Sequence, residues 1–459
     1  MNRFPANIFA GRRYAVVGLG RAGIAALRAL TSFGAIVTGW DDAGFARDQA
    51  EREGFLIADP TPDIGDLDAL VLSPGIPHVL PVPHRIAAAA RAVARPIFTD
   101  AELLFQAVRA AGSHARFVGI TGTNGKSTTT ALLAHILETA GVPNAAGANL
   151  GPAALSLPLL SENGVYVLEM SSYMLERLAT LRFDAAVMLN LSPDHLDRHG
   201  DMAGYATAKR QVFARQVSGD TAVIGIDDAG SRAMLAGIAG AISISGYSPA
   251  GIWADGTILR DASGPIVDLA QAAALPGPHN AQNAAAAAAL AQALGVSRAD
   301  IARGMVSFAG LAHRQELVGQ IGSIRFINDS KATNADATAR ALACYDRVIW
   351  IAGGIAKSGG IAPLAGYFPR VAKALLIGRD APEFAAVLAA QGVPHEIVET
   401  LDRAVPTSLR AARAMGADVV LLSPSCASFD QFSGFEARGA RFRELVSLLA
   451  DAPAKMAVV

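Results

Sequence analysis

The sequence predicts an α/β protein of three domains: a Rossmann-like N-terminal domain, a central P-loop ATPase-type domain and a Rossmann-like C-terminal domain. Three observations predict it. Two glycine-rich turns, one from Gly18 and one from Gly119, each stand between an apolar, strand-like run and a helical pattern. A third set of apolar runs, beyond Gly310, ends in clustered polar residues, as strands do where a parallel sheet meets its ligand. At 459 residues the expected boundaries are 1–112, 113–309 and 310–459.

In the first segment Tyr14-Ala15-Val16-Val17 reads as a buried strand that runs into Gly18-Leu19-Gly20-Arg21-Ala22-Gly23 and then a helix. A second strand, Ile36 to Trp40, ends on Asp41, about 20 residues beyond the glycines. This is a dinucleotide fingerprint in its full context. The glycines admit close backbone approach, the helix end takes a pyrophosphate, and the acidic residue takes a ribose hydroxyl. NAD and hydride transfer are one inference from it. The same signal serves any nucleotide diphosphate, and a second nucleotide loop downstream favours phosphate chemistry. A further strand, Ala69 to Leu72, ends in Ser73-Pro74-Gly75-Ile76-Pro77, either a ligand-facing turn or a plain Pro-Gly turn.

The central segment opens with the strand-like Arg116 to Ile120 and the loop Thr121-Gly122-Thr123-Asn124-Gly125-Lys126-Ser127-Thr128. A helix with Leu132, Leu133, Ile136, Leu137 and Ala140 on one face follows. Backbone N–H groups and the helix end would cradle a phosphate, Lys126 would meet the terminal phosphates, and the Ser127 hydroxyl would face Mg²⁺. The spacing is a variant: the general pattern asks for glycine at 120, where this chain has Ile120. Strands and helices then alternate, so a largely parallel sheet is expected. Val165 to Leu168 delivers Glu169, and Ala185 to Leu189 delivers Asn190 and the stretch with Asp194 and His195. A carboxylate and an imidazole there are either Mg²⁺ ligands or structural hydrogen-bond partners, and no zinc spacing is present. Lys209 reads as a solvated helix lysine. Asn280 and Asn283, three apart, either read a base edge or cap their helix.

In the last segment Ile324 to Asn328 ends in Asp329-Ser330-Lys331-Ala332-Thr333-Asn334. The strand from Arg347 to Ala352 is followed by Gly353-Gly354-Ile355-Ala356-Lys357, and that from Val419 to Leu422 by Ser423-Pro424-Ser425-Cys426-Ala427-Ser428. Cys426, with no His beside it in sequence, reads as a packed residue.

Composition bounds the class. A chain 52% apolar and 17% charged buries several cores, and a net charge of -1 argues against nucleic acid as a main partner. Two distant cysteines fit a reducing cytoplasm. No uninterrupted apolar stretch of about 18 residues exists to span a membrane, and the first residues lack the apolar core of a signal peptide.

Taken together, the loop Gly122 to Ser127, the His-Asn-x-x-Asn of His279 to Asn283, His313-Arg314, Asn328 to Asn334 and Leu422 to Phe435 resemble, in order and along the whole chain, the ATP-dependent Mur ligases of bacterial cell-wall synthesis. Asn328 to Asn334 and Leu422 to Phe432 resemble the D-glutamate-adding branch in particular. The resemblance implies ATP and Mg²⁺ as cofactors, and UDP-N-acetylmuramoyl-L-alanine and D-glutamate as substrates of a monomer. It assigns Lys126 to the moving phosphoryl group; Ser127, Glu169, His195 and a carbamylated Lys209 to the metal; and Asn280, Asn283, Arg314, Asp329 and Lys331 to ATP. Thr333, Lys357, Ser428 and Phe435 would hold D-glutamate. Arg21, Ala22, Asp41, Ser73, Gly75 and Asn149 would hold the UDP-sugar. Three places depart from the family's pattern: Asp42-Ala43 after the acidic residue, Met174, and Ile355-Ala356 before Lys357.

Overall fold

The computed structural model describes residues 3–357 and 359–451. Their contacts form two compact units: one runs to Ala273 and adds Pro278–Phe308, the other takes Ala274–Gly277 and everything from Ala309.

The first unit carries two sheets. The N-terminal one is four-stranded and all parallel, ordered Ile36–Trp40, Arg13–Val17, Ala69–Leu72, Ile97–Phe98. Its middle strands are buried on both faces, which is why they read as continuous apolar runs. The second sheet has nine strands, with Arg116–Thr121 between Ala185–Met188 and Val165–Glu169. Parallel pairing extends to Asn144–Ala148 on one side and, through Thr221–Gly225 and Ile242–Ser245, to Ile252–Asp255 on the other. There it stops: Ile258–Asp261 and Gly264–Asp268 continue as an antiparallel meander. The expectation of a largely parallel sheet therefore holds for seven strands and gives way where Asp255–Gly256–Thr257 turns tightly, with Gly256 at φ +61°.

Helix Pro278–Ala293 is buried almost all round, as its run of alanines allows: with no bulk beyond Cβ, it packs directly on helix Lys126–Thr139 and on the strands beneath. Among the described residues no helix is long and apolar enough to cross a membrane.

The second unit holds a six-stranded sheet in the order Glu316–Ile321, Ile324–Asn328, Val419–Leu422, Val348–Gly353, Val371–Ile377, His395–Glu399. All pairs are parallel except the first, a hairpin. Three adjacent strands thus point their carboxyl ends, and the polar stretches that follow them, toward one edge.

Candidate functional site

The phosphate loop is shaped by its neighbours. Gly125 caps helix Lys126–Thr139 at φ +85°, and a Cβ built there would lie 2.3 Å from Asn283 Oδ1, so only glycine fits. Asn190, at the end of the next strand, clamps the loop: its Oδ1 accepts from Asn124 N at 2.9 Å, its Nδ2 donates to Asn124 O at 3.0 Å, and its carbonyl accepts from Thr123 N at 2.9 Å. Lys126 folds back, its Nζ donating to Gly122 O at 2.9 Å and Thr123 O at 2.8 Å.

Lys209 is not the solvated lysine its local sequence suggests. It is 1% exposed, donates to Gly122 O at 2.8 Å and lies 4.7 Å from the Tyr205 ring centroid. Burial, and then the positive charge of Lys126, hold its amine well below the ordinary lysine value, while Asp194 and Glu169 pull it partly back. Glu169, 2% exposed, accepts from Asn149 Nδ2 at 2.6 Å through Oε1; its Oε2 is buried without a hydrogen bond. His195 stands at φ +54° with Nε2 3.3 Å from Asp194 Oδ2 and its ring 5.0 Å from that of Tyr173. Ser127 is buried and Thr128 half-buried in the first helical turn.

These residues suit a hard divalent cation. Among the described residues no three His, Cys, Asp or Glu side chains form a metal cluster. Mg²⁺ needs none, since it takes one or two carboxylates together with waters and substrate phosphates. The orphaned Oε2 of Glu169 is a donor of that kind, and the lowered basicity of the Lys209 amine favours the unprotonated form that reacts with carbon dioxide to a carbamate.

Asn280 and Asn283 are both buried. Asn283 Nδ2 donates to Asn280 Oδ1 at 3.1 Å, and Asn283 Oδ1 accepts from Thr129 at 3.3 Å. Asn283 thus braces the back of the phosphate loop.

The N-terminal fingerprint joins this centre. A Cβ on Gly23 would sit 1.8 Å from Gly18 O, so the helix from Arg21 packs on the turn as closely as a backbone allows. Asp41 Oδ2 accepts from Leu19 N at 2.6 Å, and Ser73 Oγ donates to Gly18 O at 2.7 Å. Ala22 lies half-buried beside them. Arg21 reaches the carbonyls of Ala148, Asn149 and Gly151, on the loop whose Asn149 holds Glu169. Two arginines the sequence reading passed over grip the other turn. Arg177, 3% exposed, donates to Leu72 O, Ser73 O and Ile76 O, and Arg198 donates to Gly75 O at 2.9 Å. No local signal marks either residue.

In the second unit Asp329 is buried, accepting from Ser423 Oγ at 2.8 Å and Gln315 N at 3.2 Å; burial pushes its carboxyl up to about 7. Arg314 is close enough to pull it partly back. Lys331 Nζ lies 3.9 Å from the Phe435 ring centroid. Thr333 is half-buried, Ser428 buried and Lys357 exposed. The stretches carrying Lys357 and Ser428 are zipped by the antiparallel pairs Ile355–Ala427 and Ala356–Cys426. Cys426 is fully buried with its thiol pushed up to about 12, a packed residue as expected.

Residues 120–291 match the Mur ligase middle domain and residues 313–426 the Mur ligase glutamate ligase domain. The chain is 47% identical to the UDP-N-acetylmuramoylalanine–D-glutamate ligase of Caulobacter vibrioides, across 99% of both chains. It is 49% identical to that of Paramagnetospirillum magneticum, across 95% of this chain and 96% of the relative. The UDP-N-acetylmuramate-alanine ligase of Thermotoga maritima shares the fold, with TM-score 0.59 at 18% identity over 95% of this chain and 99% of that one. With near-identical lengths and almost half of all positions shared, the chain belongs to the Mur ligases and is an ATP-dependent, amide-bond-forming ligase.

Proposed function

We propose that this protein joins D-glutamate to UDP-N-acetylmuramoyl-L-alanine in peptidoglycan precursor synthesis, through an acyl phosphate, as a monomer in the cytoplasm. The observation that carries the reading is full-length identity of 47–49% to ligases named for this reaction. The phosphate loop with two lysines on one carbonyl supports it chemically.

A carboxylate is a poor acyl donor, so its oxygen first takes the γ-phosphoryl group of ATP. The amine of D-glutamate then attacks the acyl carbon, and phosphate leaves as the amide forms. Bound Mg²⁺ would neutralise charge on the phosphates. Catalysis by the chain is positioning and electrostatics. Lys126 supplies positive charge to the moving phosphoryl group. Ser127, Glu169, His195 and a carbamylated Lys209 would hold the metal side, and the loop Gly122 to Thr128 with Asn280, Asn283, Arg314, Asp329 and Lys331 would serve ATP. Asn283 serves it indirectly, through the loop it braces. Thr333, Lys357, Ser428 and Phe435 take D-glutamate; Arg21, Ala22, Asp41, Ser73, Gly75 and Asn149 take the UDP-sugar. Phosphate release from ATP in the presence of the UDP-substrate, with the amino acid varied, tests the reading. Release with another amino acid and none with D-glutamate would point to a different amide ligase of the family.

A further inference from the structure

Arg438 is the most deeply buried arginine of the described chain, 1% exposed, and no ion pair is formed with it by any described carboxylate. Its Nε donates to Ser330 Oγ at 2.9 Å, its NH2 group to Ser330 O at 2.8 Å and Cys426 O at 3.0 Å, and its NH1 group to Gly353 O at 3.5 Å. The three acceptor residues lie on, or at the start of, three different stretches that leave the carboxyl edge of the C-terminal sheet. Ser330 stands between Asp329 and Lys331, Gly353 lies four residues before Lys357, and Cys426 two before Ser428. Ser330 Oγ passes the link on by donating to Phe435 O at 2.9 Å.

Two features show that this bracket is not incidental packing. A buried guanidinium without a counter-ion is costly, and it persists only when its donors are satisfied. Burial pushes it down to about 10, so it stays charged at neutral pH. Beside it, Ser425 holds φ +60°, a left-handed conformation costly for a residue with a side chain and kept only where the surroundings over-determine it. The bond from Arg438 to the next carbonyl, that of Cys426, is such a constraint.

We propose that Arg438 is the positioning residue of the amino-acid site: one guanidinium fixes the three stretches in mutual register and so shapes the edge that takes a dicarboxylate substrate. It acts through its neighbours, not by touching the reacting atoms. The proposal rests on the reading of that edge as the D-glutamate site.

The test is steady-state kinetics of Arg438→Met and Arg438→Lys in the full-length enzyme, with melting curves. In Arg438→Met, KM for D-glutamate rises about tenfold or more, while KM for the UDP-substrate, whose residues lie in the other unit, stays within about twofold. Arg438→Lys, which keeps the charge but not the fork, recovers part of the loss. A folded Arg438→Met with D-glutamate KM within about twofold of wild type overturns the proposal. If Arg438→Met does not fold, Ser330→Ala decides, because it removes only the Nε acceptor and the link to Phe435. A D-glutamate KM raised about threefold at an unchanged UDP-substrate KM supports the bracket, and an unchanged one overturns it. Wild-type enzyme without D-glutamate-dependent turnover would instead refute the functional reading itself.

Discussion

Lys126 and Lys209 donate to the same oxygen, the carbonyl of Gly122, at 2.9 and 2.8 Å. Two amines on one acceptor raise each other's cost of protonation, and that cost is greatest for the one without access to water. Lys209, almost fully enclosed, is that one. In the proposed mechanism the pair divides the labour: Lys126 faces the phosphate, and Lys209, its amine held well below the ordinary lysine value by burial, is the one suited to conversion to a carboxylate-like ligand.

Lys209→Ala is therefore expected to be inactive and to recover partially with added short carboxylates, which replace the lost oxygen donors in the vacated space. Turnover assays with and without acetate or formate check this. Loss without rescue would leave Lys209 a packing residue.

Lys126→Ala is expected to lower turnover by roughly a hundred- to thousand-fold, the usual cost of removing one preorganised charge contact. Far-UV circular dichroism should remain that of wild type. The half-buried ammonium donates to the carbonyls of Gly122 and Thr123 at the start of its own helix, so the effect of its loss on the fold is local. Retained turnover would remove the loop from the mechanism.

What the sequence disclosed follows from how local each signal is. The turns at Gly18 and Gly122 carry their meaning within a dozen residues, because glycine spacing, an apolar strand and a helix pattern are contiguous. The delivery of Glu169, Asn190 and Asp329 by strand ends was legible for the same reason. Lys209, Arg177 and Arg438 were not readable from their surroundings. Their partners lie 87, 104 and 108 residues away, and nothing beside them in the chain distinguishes a buried basic side chain from a solvated one. The antiparallel meander from Ile258 was missed because its short strands carry no long apolar run.

Asp329 makes stability depend on pH. Its carboxyl titrates near 7 in the fold against 3.8 unfolded, so the native state favours the protonated form. The stabilisation is full below about 3.8 and is lost as pH rises through about 7, a penalty on the order of a few kcal/mol. Asp329→Asn avoids that penalty. Its stability relative to wild type should rise between pH 4 and 7 and level off above, as followed by urea unfolding of both proteins. A difference flat across that window would contradict the burial argument.

Arg177 ties the turn after Ala69–Leu72 to the neighbouring sheet through three carbonyls. Arg177→Met leaves those acceptors unsatisfied and is expected to cost about 2 kcal/mol or more. It should also raise KM for the UDP-substrate, because the turn that carries Ser73 and Gly75 loses its anchors at Ser73 O and Ile76 O. Calorimetry and substrate titration measure the two effects, and a wild-type KM would show that the turn is fixed without it.

The most direct measurement is phosphate release from ATP by the purified chain with UDP-N-acetylmuramoyl-L-alanine, repeated with and without D-glutamate. The account predicts release that depends on D-glutamate and matches amide product one to one. Release that ignores D-glutamate, or none with all three substrates present, would contradict it.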